Sequence, residues 1–152
     1  MDWIYLFASF SGRISRFPFW ICVGILVVVE LASEGFANWI GGDTPSTLLD
    51  LAFIYPEFAV AVKRANDRNL SPWVVGLFFA IDAALNLFTL INGPIDPEQG
   101  INSIILLPGV VLGVILLVEL GFRRGTEGPN RFGPDPLANT PPMAPASVVS
   151  VI

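Results

Sequence analysis

Three carboxylates lie inside long apolar segments of the sequence, where a charged side chain is unfavourable. Glu30, Glu57 and Asp82 each fall near the middle of such a segment, and no lysine or arginine lies at that depth. An aspartate facing lipid costs roughly 2.5–3.5 kcal/mol on insertion scales, so these side chains are expected to point into a helical bundle. They could form a proton or cation pathway. Alternatively, they could be protonated acids that hydrogen-bond between helices and stabilise packing.

Each of these carboxylates shares a helix face with a second polar residue, four or seven positions away in the sequence. We call each such face a polar stripe. Glu34 continues the stripe of Glu30, Asp50 that of Glu57, and Asn86 that of Asp82.

A second set of polar residues lies at or beyond the ends of the apolar segments and contains most of the basic side chains. It comprises Arg13, Arg16, Lys63, Arg64, Asp67, Arg68, Asn130, Arg131 and Asp135. Because arginine matches the geometry of phosphate, this set could bind an anionic lipid headgroup or a phosphate. In the simpler interpretation, the charges fix the topology and pair with one another to hold the loops. Glu119 is expected to pair with Arg123, four residues later on the same helix.

The elements that must position these residues are four apolar stretches, each near the ~20 residues that a helix needs to cross a bilayer. We place them near Phe19–Ile40, Ser46–Arg64, Pro72–Asn92 and Ile101–Phe122. The second is the weakest, because Asp50, Pro56 and Glu57 interrupt it, and Pro56 is expected to kink it. The sequence therefore predicts an all-α integral membrane protein, with a four-helix bundle over residues 1–136.

The distribution of charge predicts the topology. All eight lysines and arginines fall before the first stretch, between the second and third, or after the fourth. The connections at Gly41–Pro45 and Gly93–Gly100 contain acidic charges only. Because positive residues concentrate in cytoplasmic loops, both termini are expected in the cytoplasm. Met1–Gly12 could form a short interfacial helix, and the proline-rich tail at 137–152 is predicted to be disordered.

Composition excludes several classes of function. Of the 152 residues, 53% are hydrophobic and 14% are charged, whereas soluble domains have about 25% charged residues. The sequence contains no histidine, and Cys22 is its single cysteine. Ser-His-Asp and Cys-His catalysis and the usual zinc and haem sites are therefore excluded, and no metal or cofactor is expected. No extended basic stripe is present, which argues against nucleic acid as a partner.

Three motifs occur in order along the chain, on one side of the predicted membrane domain: Phe10–Trp20, Lys63–Trp73 and Gly125–Pro136. They resemble the Gly-Arg-x-x-Arg-x-x-Phe-Trp, Arg-Arg-Leu-His-Asp and Gly-x-Asn-x-Tyr-Gly-x-Asp-Pro motifs of a bacterial inner-membrane family, domain of unknown function 805. The chain departs from this pattern at Asn66, where histidine is usual, and at Pro72, where glycine is usual. The resemblance covers nearly the whole chain to Pro136. It implies a fold and an inner-membrane location, and it implies no activity.

Three classes of function stay open. The preferred one is an accessory or structural membrane protein whose cytoplasmic basic site binds anionic lipid, a membrane-protein partner or a second copy of the chain. The second is a small proton or cation pathway through Glu30, Glu57 and Asp82, which requires these residues to meet. An intramembrane enzyme has the least support, because the sequence shows no nucleophile–base pair.

Overall fold

The computed structural model of the protein describes residues 2–41, 43–93 and 100–138, which form α-helices and loops. The helices of the described chain are α1 (Trp3–Ala8), α2 (Arg16–Ile40), α3 (Asp43–Asp67), α4 (Pro72–Asn92) and α5 (Gly100–Gly121). The prediction of an all-α protein is confirmed. Helices α2 to α5 overlap the four predicted stretches, and α3 continues as a helix through Pro56. The predicted disordered tail lies outside the described residues from position 139 onward.

Three helices contain segments that are long and apolar enough to cross a membrane: Arg16–Ala37, Thr44–Asp67 and Pro72–Asn92. In α5 the described apolar segment is shorter, from Leu107 to Gly121. Large apolar side chains are exposed along these helices, among them Val28, Leu77 and Ile115. A soluble protein rarely exposes apolar surface of this extent, whereas in a bilayer such side chains contact lipid. The chain is a membrane protein.

Helix α3 is the central element, because it packs against each of the other four helices. Its last turns, from Ala59 to Asp67, are buried. The apolar cluster around them draws side chains from three neighbouring helices, namely Cys22, Leu26, Val75 and Leu120. Side chains at the end of α3 are therefore enclosed even though they are polar.

Helix α1 is a short amphipathic helix that packs against α3. The carboxylate of Asp2 caps it by accepting the N–H of Tyr5 at 3.1 Å, as N-cap residues do. Leu6 faces the core, while Trp3 and Ile4 are exposed. The predicted N-terminal helix is thus present, and its position in the membrane interface stays a prediction.

The loops that carry the basic residues meet at one end of the bundle. Asn66 Nδ2 donates to the carbonyl oxygen of Gly12 at 3.1 Å, and Asn130 Nδ2 donates to that of Asn66 at 2.9 Å. We call this region the basic end. It comprises residues 9–15, 68–71 and 122–138 together with the adjoining turns of α2 to α5.

Candidate functional site

The end of α3 carries two cations without exposed surface, Lys63 and Arg64. Lys63 Nζ donates to the carbonyl oxygens of Tyr5 at 2.5 Å, Leu6 at 2.5 Å and Ser9 at 2.6 Å. The last carbonyls of a helix have no partner within that helix. The ammonium group therefore caps the C-terminus of α1 and uses all three of its donors. Lys63 fixes α1 and the loop after it to α3.

Arg64 joins the ends of α3 and α5. Its Nε donates to the carbonyl oxygen of Leu120 at 2.6 Å, and its Nη2 donates to that of Arg123 at 2.5 Å. Its Nη1 forms a short ion pair with the carboxylate of Asp67. The guanidinium thus binds one carbonyl of the last turn of α5, where carbonyls lack a partner within the helix, and one carbonyl of the loop that follows.

A second buried arginine, Arg13, approaches Asp67 from the loop before α2. Arg13 Nε donates to Asp67 Oδ1 at 3.1 Å, and the two side chains are 1% and 3% exposed. The other nitrogens of Arg13 donate to the carbonyl oxygens of Thr126 at 2.6 Å and Gly128 at 2.8 Å. Asp67 therefore lies between two guanidiniums, an arrangement in which buried charges are paired and hydrogen-bonded.

The loop after α5 passes close to the end of α3. The N–H of Thr126 donates to the main-chain carbonyl oxygen of Asp67 at 2.8 Å. At the preceding position, Gly125, a Cβ atom would overlap the carboxylate of Asp67. A larger residue there would displace Asp67, so glycine is the residue that fits.

Asp135 closes the same loop on itself. Its carboxylate accepts the N–H groups of Leu137 at 2.9 Å and Gly128 at 2.8 Å. These two hydrogen bonds hold the pKa of Asp135 below its usual range. Gly128 links the two clusters, because its N–H binds Asp135 and its carbonyl oxygen accepts from Arg13. Asp135 thus orders the loop that supplies carbonyls to the buried arginine.

Arg68 and Arg123 both bind the carboxylate of Glu119, in a group that is more exposed than the one around Asp67. Arg68 Nη2 makes a short contact with Glu119, and its Nη1 donates to the carbonyl oxygen of Arg124 at 2.6 Å. Arg123 Nη1 lies 2.9 Å from Glu119 Oε2. The predicted pairing of Glu119 with Arg123 is confirmed. These residues connect the side of α5 to the start of the α3–α4 loop.

The remaining arginines form an exposed rim. Arg16 donates to the carbonyl oxygen of Phe122 at 3.3 Å, and Arg131 lies with its guanidinium carbon 4.6 Å from the centre of the Phe132 ring. Arg16 and Arg124 border a cavity of about 140 Å³, here called the rim cavity. Within the described chain the side chain of Arg124 has no hydrogen-bond or ion-pair partner.

A polar cavity of about 320 Å³ lies among α2, α3 and α4, away from the basic end. We call it the acid cavity. It is lined by Glu30, Glu34, Asp50, Glu57, Asp82 and Asn86. The structure thus brings the three predicted carboxylates together, with the three residues that continue their stripes. No basic side chain lines the cavity, and among the described residues no three carboxylates converge closely enough to hold a metal ion.

The acid cavity begins about half-way along α3 and α4. Glu57 lies ten residues before the end of α3 at Asp67, and Asp82 lies ten residues after the start of α4 at Pro72. At a rise of 1.5 Å per residue both lie about 15 Å from the basic end, half of the ~30 Å hydrocarbon core. Asp50 lies seven residues farther from that end. The cavity therefore occupies the half of the bundle away from the basic end.

The sequence profile described as "Protein of unknown function (DUF805)" matches residues 7–134. The chain belongs to this family. It is 31% identical over 140 residues to "Uncharacterized protein YiiR" of Escherichia coli strain K12, a match that covers 88% of each chain. It is 27% identical over 147 residues to "Inner membrane protein YhaH" of the same strain, covering 90% of this chain and 97% of that protein. No solved structure matches the chain.

In this member of the DUF805 family the three motifs fold onto one another to form the basic end. Arg13, Arg64 and Asp67 are in direct contact, and Lys63, Asn130 and Asp135 bind the main chain around them. Arg16, Arg68 and Arg131 lie nearer the surface. Sequence analysis missed Arg124 and Gly125. Gly125 has no side chain that could identify it as part of the site. Its position directly after two arginines, at the start of the third motif, is a weak signal.

Proposed function

We propose that the protein is an accessory protein of the bacterial inner membrane, crossing it four times with the basic end in the cytoplasm. The positive-inside rule supports this orientation, since every lysine and arginine of the chain belongs to this end. A relative over nearly the whole length carries the name "Inner membrane protein YhaH". The fourth crossing would be α5, whose 22 residues reach across the ~30 Å hydrocarbon core at about 1.5 Å per residue.

The role that we propose for the basic end is to hold the phosphate of an anionic lipid in the rim cavity. The observation that carries it is the division between buried and exposed cations. Arg13, Lys63 and Arg64 donate to carbonyl oxygens of the chain itself, so they hold the loops. Arg16 and Arg124 are exposed and border one cavity. A phosphate between two guanidiniums would make charge-assisted hydrogen bonds with both.

The surroundings of the rim cavity suit a lipid better than a free phosphate. Phe17, Trp20 and Phe122 are exposed beside Arg16, and the rings of Trp20 and Phe122 are 5.4 Å apart. Aromatic side chains of this kind prefer the boundary between headgroups and acyl chains. Three acids border the rim cavity, namely Asp67, Glu127 and Asp135. Asp67 is already paired with arginines, and Asp135 already accepts main-chain N–H groups. The exposed Glu127 would oppose the anion.

The test is native mass spectrometry of the full chain extracted gently from its own membrane. We expect the Arg16→Gln/Arg124→Gln variant to lose most of the retained anionic lipid, because both phosphate contacts are removed. The matched control is Arg123→Gln/Arg131→Gln, which removes the same charge at the same end without touching the rim cavity. We also expect Glu127→Gln to retain more lipid than the wild type, since it removes a repelling charge.

Equal losses in the two double variants would reject the rim cavity, since they would show that only total positive charge matters. If the wild-type protein is extracted with a stoichiometric membrane protein and without anionic lipid, the ligand of the basic end would be that protein and not a lipid. A homo-oligomer that carries neither anionic lipid nor another membrane protein would reject both the lipid and the protein partner.

The acid cavity supports a second candidate function, a proton or cation pathway. The supporting observation is the convergence of Glu30, Glu57 and Asp82 without a basic side chain among the lining residues. Between this cavity and the basic end lie the apolar side chains of Phe19, Leu120 and their neighbours. A pathway would therefore require these helices to move apart, because the described residues that line this space, other than Glu57 and Asp82, have apolar side chains or none.

Ion flux into liposomes tests this second candidate. If the pathway exists, the wild type should conduct protons or a monovalent cation, and Asp82→Asn should reduce the flux at least tenfold by removing the mid-depth charge. Thr89→Ser, a conservative change of a residue outside the acid cavity on the same helix, serves as the control. Wild-type liposomes no leakier than empty ones would end the hypothesis.

A further inference from the structure

An apolar cavity of about 300 Å³ lies between the acid cavity and the basic end. It is lined by residues of α2, α3, α4 and α5 and is partly open to the surface. We call it the inner apolar cavity. Apolar residues such as Val23, Leu26, Val75 and Phe79 form most of its lining. Its volume is at the lower limit of cavities that bind small molecules.

Two carboxylates close one side of the inner apolar cavity. They are Glu57 of α3 and Asp82 of α4, and every other lining residue has an apolar side chain or none. Within the described chain neither carboxylate forms an ion pair with a lysine or arginine, because all of these lie at the basic end. An acidic group beside an apolar space in a membrane favours a cationic partner. The missing partner could be supplied by a ligand.

A second apolar cavity, of about 410 Å³, adjoins the first between α4 and α5. Phe78, Asp82 and Gly113 border both cavities. At Gly109 a Cβ atom would meet nothing within 4 Å, so this glycine leaves open space here. Neighbouring α5 side chains such as Val110 are exposed along the lipid-facing surface. This second cavity would give a membrane-dissolved molecule a lateral route to Asp82.

We propose that these adjoining cavities bind a small membrane-soluble molecule with an apolar body and a protonated amine. The apolar body would occupy the inner apolar cavity, and the ammonium group would lie between Glu57 and Asp82. Charge complementarity selects this class of ligand, because a neutral acyl chain would leave both carboxylates without a cationic partner. An inorganic cation would leave the apolar space unfilled. The site requires neither ion flux nor lipid at the rim cavity.

The experiment compares two fluorescent probes with the same apolar body, 1-naphthylmethylamine and 1-naphthylmethanol, at neutral pH. Binding to the full chain in nanodiscs is measured by equilibrium dialysis, with empty nanodiscs subtracted. We expect saturable binding of the amine, at least about tenfold tighter than that of the alcohol, the change expected for one charge-assisted hydrogen bond. Equal affinities for the two probes, or no saturable binding, would overturn the proposal.

Variants locate the site. Asp82→Asn and Glu57→Gln should each weaken amine binding about tenfold while leaving alcohol binding nearly unchanged, since each removes one carboxyl group that can pair with the ammonium. Asp50→Asn is the matched control, because Asp50 lines the acid cavity and not the apolar ones. Gly109→Leu should narrow the second cavity and slow the entry of both probes. If Asp50→Asn weakens amine binding as much as Asp82→Asn, the amine binds in the acid cavity and the proposed site is wrong. Either mid-depth variant suffices if the other does not fold, and the comparison of the two probes needs only the wild type.

Discussion

Replacing Asp67 by asparagine is expected to destabilise the folded protein by about 3–5 kcal/mol, the usual effect of removing one partner from a buried ion pair. Asp67 is the carboxylate between the buried guanidiniums of Arg13 and Arg64. Asparagine keeps the shape of the side chain and one acceptor oxygen, but it leaves two buried positive charges without an anion. Tryptophan fluorescence during denaturation in a fixed detergent would measure the loss.

The matched control for Asp67→Asn is Glu119→Gln. It makes the same chemical change in a carboxylate that also contacts two arginines, Arg68 and Arg123. Glu119 is partly exposed, so water and salt screen its ion pairs and we expect a loss of about 1 kcal/mol or less. If the two variants lost the same stability, the charge of Asp67 would not be what holds the basic end together. The carbonyl contacts of the arginines would then be sufficient.

The helices could be predicted because their apolar runs are long and their ends carry local signals. Helix α4 has the bounds Pro72–Asn92 that the sequence suggested, since proline occupies its first position and Gly93 follows it. Helix α3 was predicted to end near Arg64 and continues to Asp67. The polar residues of its last turn continue the helix because the loops enclose them, and a hydrophobicity pattern contains no information about that enclosure.

The residue types at the basic end could be predicted, but their partners could not. Most partners of Arg13, Lys63 and Arg64 are main-chain carbonyl oxygens. Every residue has a carbonyl group, so no pattern of side chains reveals which ones are left unpaired. The positive-inside rule favours exposed cations, and the complete burial of Lys63 and Arg64 therefore differs from the simplest expectation. Burial follows from the packing of α1 and the C-terminal loop around α3.

For the acid cavity, the partners of each carboxylate along its own helix could be predicted, but the meeting of the three helix faces could not. Spacing along each helix was enough to place Glu30 with Glu34, and Asp82 with Asn86, on single faces. Whether those faces met depended on the rotation of three helices, which spacing does not determine. Because α3 lies between α2 and α4, its acidic stripe can contact both neighbours. The cost of exposing a carboxylate to lipid provides the physical reason for that rotation.

Replacing Lys63 by methionine is expected to release α1 from the bundle while leaving the spanning helices folded. Methionine has a similar length and fills the apolar path of the lysine side chain, but it donates no hydrogen bond. The carbonyls of Tyr5, Leu6 and Ser9 would lose their donor. Hydrogen bonds to a charged group contribute about 1.5–3 kcal/mol each, and the cost of burying the ammonium group offsets a large part of their sum. Amide hydrogen exchange of residues 5–8, whose N–H groups are hydrogen-bonded within α1 or to its cap, should accelerate about a hundredfold. That is the effect of losing roughly 3 kcal/mol of local stability.

Tyr55→Phe provides the graded comparison for Lys63→Met. It removes one neutral hydrogen bond to the same helix, from the Tyr55 hydroxyl to the carbonyl oxygen of Ala8 at 2.9 Å. A loss of about 1 kcal/mol should accelerate exchange in α1 about fivefold. Unchanged exchange in Lys63→Met would show that the packing of Leu6 against the core is enough to hold α1. Acceleration throughout α2 to α5 would show instead that α1 and the spanning helices unfold as one unit. Only acceleration confined to α1 identifies Lys63 as the link between a short amphipathic helix and the central helix of the bundle.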